Sequence, residues 1–187
     1  VLKGAPVLQD PLLSQIVHMS GAYETRLERA ITLLKPCSIE EIERILSELT
    51  AFLGKDPTPG GRAFLSWEEV REMSSSGLIF FGSHTARHAI LTTLTEEEAQ
   101  AELKKSRDIL VSHKVVDATF IPFSYPNGNF SGRLSEIVRE AGYHLAVTTR
   151  YGWNHWEENP YTLRRIAIHQ DMASTEALFA ARIVNLF

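Results

Sequence analysis

Residues Leu65–Thr95 read LSWEEVREMSSSGLIFFGSHTARHAILTTLT. Ser66, with Glu69 three positions on, has the spacing of a capping box, so Trp67–Ser76 is predicted to be helical and Gly77 to stop it. Leu78–Phe81 is a short, unbroken apolar run, the pattern of a buried strand. A polar segment with two histidines follows, Gly82-Ser83-His84-Thr85-Ala86-Arg87-His88. Thr95 then opens a helix to Ser112, and Glu96, Glu97 and Glu98 suit the positive end of its dipole. These glutamates read as a solvated helix start.

The same rhythm continues toward the C-terminus. Ala118–Phe123 reads as a strand and Ser131–Ala141 as a helix closed by Gly142. Leu145–Thr149 and Leu163–His169 read as strands, and Ser174–Leu186 as a last helix. Short apolar strands alternating with amphipathic helices mean βα units and a parallel sheet. About four strands would make either an open sheet or part of a (β/α) barrel.

Upstream of Leu65 the texture is helical. Leu12, Leu13, Ile16 and Val17, then Leu27, Ile31 and Leu34, recur at helical spacing from Asp10 to Lys35, with a break expected at Gly21. Ser38 and Glu41 form a second capping-box pair ahead of Ile39, Ile42, Ile45, Leu46 and Leu49, and Gly54 ends that helix. Lys55–Arg62 holds two prolines and two glycines and reads as a loop. Residues 1–64 are therefore expected to form a helical region and residues 65–187 an α/β domain.

Composition narrows the function. The chain has 187 residues, 44% hydrophobic, with a formal net charge of −4. That suffices for a sizeable core. It gives no basic footprint for nucleic acid and no basic amphipathic stretch for an anionic membrane surface. No apolar run approaches the roughly 18 residues of a membrane span. Val1–Pro6 carries no signal-peptide pattern, and the chain does not begin with Met. Cys37 is the single cysteine. It forms no internal disulfide, and with no activating base nearby it reads as a packing residue.

Chemistry concentrates at the strand ends, where parallel α/β folds open their active sites. His84 and His88 follow the predicted strand Leu78–Phe81 at i, i+4. On a helix both imidazoles would leave one face and could meet one divalent ion such as zinc. The bland alternative is a chance pair or a helix cap. Thr85 stands where a HExxH protease needs Glu, which excludes that class. Tyr125-Pro126-Asn127-Gly128 is either a plain turn or a source of backbone amides for an oxyanion. His169, after the last strand, is either a general acid or base at the same mouth or a surface residue. Trp153 and Trp156 lie on the loop after Leu145–Thr149, and either stack on sugar rings or plug a barrel end. His18, His113 and His144 read as structural or solvated.

In this order the segments resemble the polysaccharide deacetylases, the NodB-homology carbohydrate esterases, from about Leu65 onward. The Leu65–Thr95 stretch is similar to the family's motif in which a Ser/Thr-rich HxxxH supplies two metal-ligand histidines. FIPFSYPNGNFS is similar to the next motif, and AGYHLAVTT and LRRIAIHQD resemble the later strands. The resemblance implies a partial (β/α) barrel of the deacetylase type, with the helical region before Leu65 as an insertion. It implies a metal-dependent hydrolase of carbon–nitrogen bonds other than peptide bonds, removing N-acetyl or, less favoured, O-acetyl groups from a cell-surface glycan. A cell-envelope or extracellular location goes with it.

Carried over by position, His84 and His88 would hold a divalent metal, zinc first among candidates. The Asn127 backbone amide would donate to the oxyanion, and His169 would be the general acid. The family's Asp-Asp pair after a first strand, which supplies the third ligand and the general base, has no counterpart here. Asp10 and Asp56 are single and follow no apolar strand. Ser124 stands where an Arg often positions the base. The sequence is thus expected to be part of a longer gene product, inactive or nearly so alone, with an open sheet edge that another copy of the chain could cover. The rival reading is a non-catalytic carbohydrate-binding or assembly module on the same fold. A weaker third is a small N-acyl or amide substrate.

Overall fold

The computed structural model describes residues 8–54, 62 and 64–184. The chain divides into two compact units, with the division between Phe64 and Leu65.

The first unit contains α1 (Pro11–Val17), α2 (Tyr23–Leu34) and α3 (Ile39–Leu53). Local chemistry sets their ends. Asp10 caps α1 by accepting from Leu13 N–H, and Ser38 and Glu41 complete a capping box on α3. Gly54 ends α3 in the left-handed conformation that glycine adopts without a Cβ clash. The break expected at Gly21 is present, since α1 stops at Val17 and α2 starts at Tyr23. Glu48 accepts from Gln9 N–H at 2.6 Å, and Arg44 meets Asp10 at 2.6 Å, so α3 grips the start of α1 over buried Leu13 and Ile45. Cys37 is half-buried, and burial pushes its thiol pKa up, away from nucleophile duty. The Lys55–Arg62 loop reading lies outside the described residues, apart from Arg62.

The second unit runs α4 (Trp67–Ser75), α5 (Glu96–Ser112), β1 (Pro122–Ser124), α6 (Gly132–Glu140), β2 (Leu145–Tyr151), β3 (Leu163–Arg165) and α7 (Glu176–Ile183). Single 3₁₀ turns occupy Leu91–Thr93 and Pro126–Gly128. Capping boxes open α4 at Ser66 and α5 at Thr95. Glu98 thus has a structural task, and Glu96 pairs with Arg133, so two of the three glutamates do more than meet solvent.

The three strands pair in parallel in the order β1-β2-β3. The core lies between this sheet and α5 and α6, around Leu103, Ile121, Phe123, Tyr125, Ile137 and Ala146. Between β2 and β3 the register shifts after Val147. Buried Thr148 spans the irregularity, its hydroxyl donating to Leu163 O at 3.0 Å while its carbonyl accepts from Arg165 Nε at 2.8 Å.

The structure corrects three strand expectations, and one of them, Ala118–Phe123, shortens to β1 with Ala118 and Thr119 in a turn. Leu78–Phe81 forms no strand. Only Ser83 bridges, in parallel, to Phe123, through Ser83 N–H to Pro122 O and Ser124 N–H to Ser83 O. A run becomes a strand by pairing along its length, and none of Leu78–Phe81 pairs with a described residue, the single bridge falling beyond it at Ser83. Leu78 and Phe80 are accordingly 83% and 88% exposed. Ladder pairing likewise stops early in Leu163–His169, at Arg165, and Ile166–His169 continues as coil.

Candidate functional site

Because Ser83, β1, β2 and β3 run parallel, the segments leaving their carboxyl ends lie on one side of the sheet. They carry His84, Asn127, Trp153 and His169.

The His84–His88 segment is not helical. Thr85 and His88 hold positive φ, 65° and 60°, in a tight non-repetitive turn. The two rings nevertheless meet, with centroids 4.7 Å apart and planes at 76°. Reversals at Thr85 and His88 do what helical periodicity was expected to do. Left-handed backbone in a Thr and a His costs roughly 1–2 kcal/mol each and persists only where neighbours hold it.

His84 Nδ1 sits 2.6 Å from Ser124 O. A carbonyl only accepts, so Nδ1 carries the proton, and the Nε2 of the neutral ring keeps its lone pair for a metal. The hydroxyl of Thr85, between the two histidines in sequence, is buried without a hydrogen-bond partner. Such an orphaned polar atom calls for an explanation, and a bound group or water at the site is one. The donor set therefore fits a divalent ion in part: two imidazole nitrogens. Among the described residues no group of three or more His, Cys, Asp or Glu is gathered to complete a metal site.

Beneath the pair lies a buried polar network that sequence reading missed. Ser83 Oγ is 2.7 Å from Ser106 Oγ, and Tyr143 Oη donates to Ser83 Oγ at 2.7 Å and contacts Leu103 O at 2.9 Å. Burial pushes the Tyr143 phenol pKa up, so it stays a donor at neutral pH. Glu102, also from α5, accepts from the backbone N–H groups of Ala86 and Arg87. Nothing in the local sequence marks a glutamate in mid-helix as buried.

The Pro126–Gly128 turn follows β1 and is closed by Gly128 N–H to Tyr125 O at 2.9 Å. Asn127 holds φ 57°, and its amide is not the one that closes the turn. Gly128, at φ 75°, must be glycine: a Cβ there would fall on the Thr149 side chain. His169 lies in the coil after β3, exposed, and its carbonyl accepts from Met172 and Ala173 N–H. No ring contact joins it to His84 or His88. Three further histidines have structural partners: His18 bonds Ser14 O, His113 stacks on Trp67, and His144 Nδ1 accepts from Ile121 N–H.

Residues 50–146 match the family model described as polysaccharide deacetylase. The chain belongs to that family. Two solved structures agree. The Streptococcus pyogenes deacetylase PplD, in complex with acetate, is 28% identical, with a TM-score of 0.55 over 60% of this chain and 49% of its own. A polysaccharide deacetylase from Bacillus cereus is 27% identical, with a TM-score of 0.57 over 77% of this chain and 47% of its own. This polysaccharide deacetylase chain thus spans about half the length of the solved structures it matches. No curated protein matches it significantly. The parallel sheet flanked by helices is part of a (β/α) barrel of the deacetylase type.

Proposed function

We propose that this chain is the histidine-bearing part of a metal-dependent hydrolase that removes N-acetyl groups, or less favourably O-acetyl groups, from a cell-surface polysaccharide. The observation that carries the reading is the pairing of the His84 and His88 imidazoles, with the His84 Nδ1 held by Ser124 O, at the carboxyl end of a parallel sheet in a family of deacetylases. The acetate bound by the Streptococcus pyogenes relative is the product such a reaction would release.

In this mechanism His84 and His88 hold a divalent metal, zinc being suited to imidazole donors. When bound, such an ion polarises the acetyl carbonyl and lowers the pKa of a bound water. Ser124 O accepts a hydrogen bond from Nδ1 of His84, so Nε2 would be the nitrogen offered to a metal. Asn127 N–H donates to the oxyanion as the carbonyl becomes tetrahedral. His169 gives a proton to the departing amine. The third ligand and the general base are roles no residue of this chain is given, so the chain alone should bind metal loosely and turn over little or nothing. Residues 1–64 fit a helical insertion in this scheme.

The test is elemental analysis after zinc equilibration, with wild type beside His84→Ala/His88→Ala. Metal retained by wild type and lost by the double variant supports the reading, and no metal in either sinks it.

The rival is a non-catalytic glycan-binding module. Trp156 favours it, standing fully exposed on the loop after β2. Chitooligosaccharide binding that survives loss of both histidines would select that rival.

A further inference from the structure

The turn that brings His84 and His88 together does not hold itself. It needs left-handed backbone at Thr85 and at His88, and Ala86 and Arg87 lie between them. Both of those residues aim their backbone N–H at one oxygen, Oε2 of Glu102, each at 3.0 Å. The other carboxylate oxygen takes Arg87 Nε at 3.1 Å. Glu102 is only 7% exposed, so these charge-assisted bonds act where water competes little. One turn along the same helix face, Ser106 holds Ser83 at 2.7 Å. Helix α5 thus grips the chain on both sides of His84, through Ser106 before it and Glu102 after it.

We infer that Glu102 is the positioning residue of the histidine pair: a buried carboxylate that selects the turn in which both rings converge. This rests on the reading of His84 and His88 as metal ligands. Glu102 itself is not a ligand, because both of its oxygens are engaged by the turn. A mid-helix glutamate with a purely structural role would affect melting alone. A positioning residue changes metal affinity and imidazole state in protein that is still folded.

The experiment compares wild type, Glu102→Gln, Glu102→Ala and His84→Ala/His88→Ala, each checked for folding by circular dichroism. Zinc affinity is read by competition with a chromophoric chelator. The His84 tautomer and its Nδ1–H exchange are read without metal, by nitrogen-15 NMR. Glu102→Ala should weaken zinc binding about 10–100-fold, the usual cost of losing an outer-shell partner, and should speed exchange of the His84 Nδ1–H. Glu102→Gln keeps an oxygen for the two backbone amides but sets an NH₂ against Arg87, so it should fall between. If either folded variant keeps wild-type affinity and wild-type His84 signals while the histidine double variant loses zinc, the inference fails and the metal reading stands. If wild type binds no zinc, the metal reading fails, and unchanged His84 signals in the Glu102 variants would then overturn the positioning role as well.

Discussion

The Nδ1 of His84 lies 2.6 Å from the carbonyl oxygen of Ser124, the last residue of β1. This bond joins the one β-bridge of the 78–83 segment to the strand it bridges, and ties the imidazole to the sheet's carboxyl edge. It also decides which nitrogen carries the proton. In protein free of metal, His84 should populate the Nδ1–H tautomer, and its Nδ1–H should exchange more slowly than that of exposed His169. Nitrogen-15 NMR of the histidine rings checks both. A dominant Nε2–H tautomer at His84 would remove the free nitrogen on which the metal reading depends.

Gly128 offers a sharper test of how the Tyr125–Gly128 turn is built. At φ 75° a side chain is strained whatever the space, and a Cβ would collide with Thr149 Oγ1. Gly128→Ala should destabilise the protein by about 2–5 kcal/mol, summing left-handed strain and overpacking, as read from urea unfolding. Adding Thr149→Ala should return the overpacking part and leave the strain.

The local signals in the sequence were legible because their partners are three or four residues away. The capping boxes at Ser38 and Ser66 and the stop at Gly54 form as read, whereas at Thr95 the reading held only the helix start and not the box that Glu98 completes. The Leu78–Phe81 strand failed because a strand depends on neighbours distant in sequence, and apolar content cannot show whether they pair with it. The histidine pair was found by its spacing, yet it meets by a different geometry, since positive φ at Thr85 and His88 has no sequence signature when neither residue is glycine. Glu102 stayed hidden for the same reason: its partners lie 15 and 16 residues upstream. The second member of the Ser124–His84 bond is a backbone carbonyl, which no side-chain pattern reveals.

Asp10 should make the helical unit acid-sensitive. Its carboxyl pKa is held below the usual value of 3.8, first by the hydrogen bond from Leu13 N–H and next by Arg44. A depressed folded-state pKa means that stability is fully present above the unfolded value. It is lost as pH falls below about 3.9 toward the folded value, when the proton taken up weakens the cap and the ion pair. Circular dichroism between pH 7 and pH 2 should show helix loss in that window. Asp10→Asn should lower stability at pH 7 and flatten the acid response, because asparagine can still cap α1 but cannot pair with Arg44.

Trp153 and Trp156 separate packing from recognition on the loop after β2. Trp153 Nε1 donates to Ile183 O at 2.8 Å, and Asn154 exchanges two bonds with the Arg164 backbone, so the loop is tied to β3 and α7. Trp156 is 101% exposed on that anchored loop and is covered by none of the described residues. A free indole face suits a sugar ring. Trp153→Ala should lower the melting temperature, since it removes a bond that holds the loop. Trp156→Ala should leave the melting temperature within about 2 °C, given that surface changes away from packing stay within about 0.5 kcal/mol. It should nonetheless weaken chitooligosaccharide binding, measured by calorimetry. Equal glycan binding by wild type and Trp156→Ala would take this loop out of substrate recognition and leave the histidine turn as the sole candidate site.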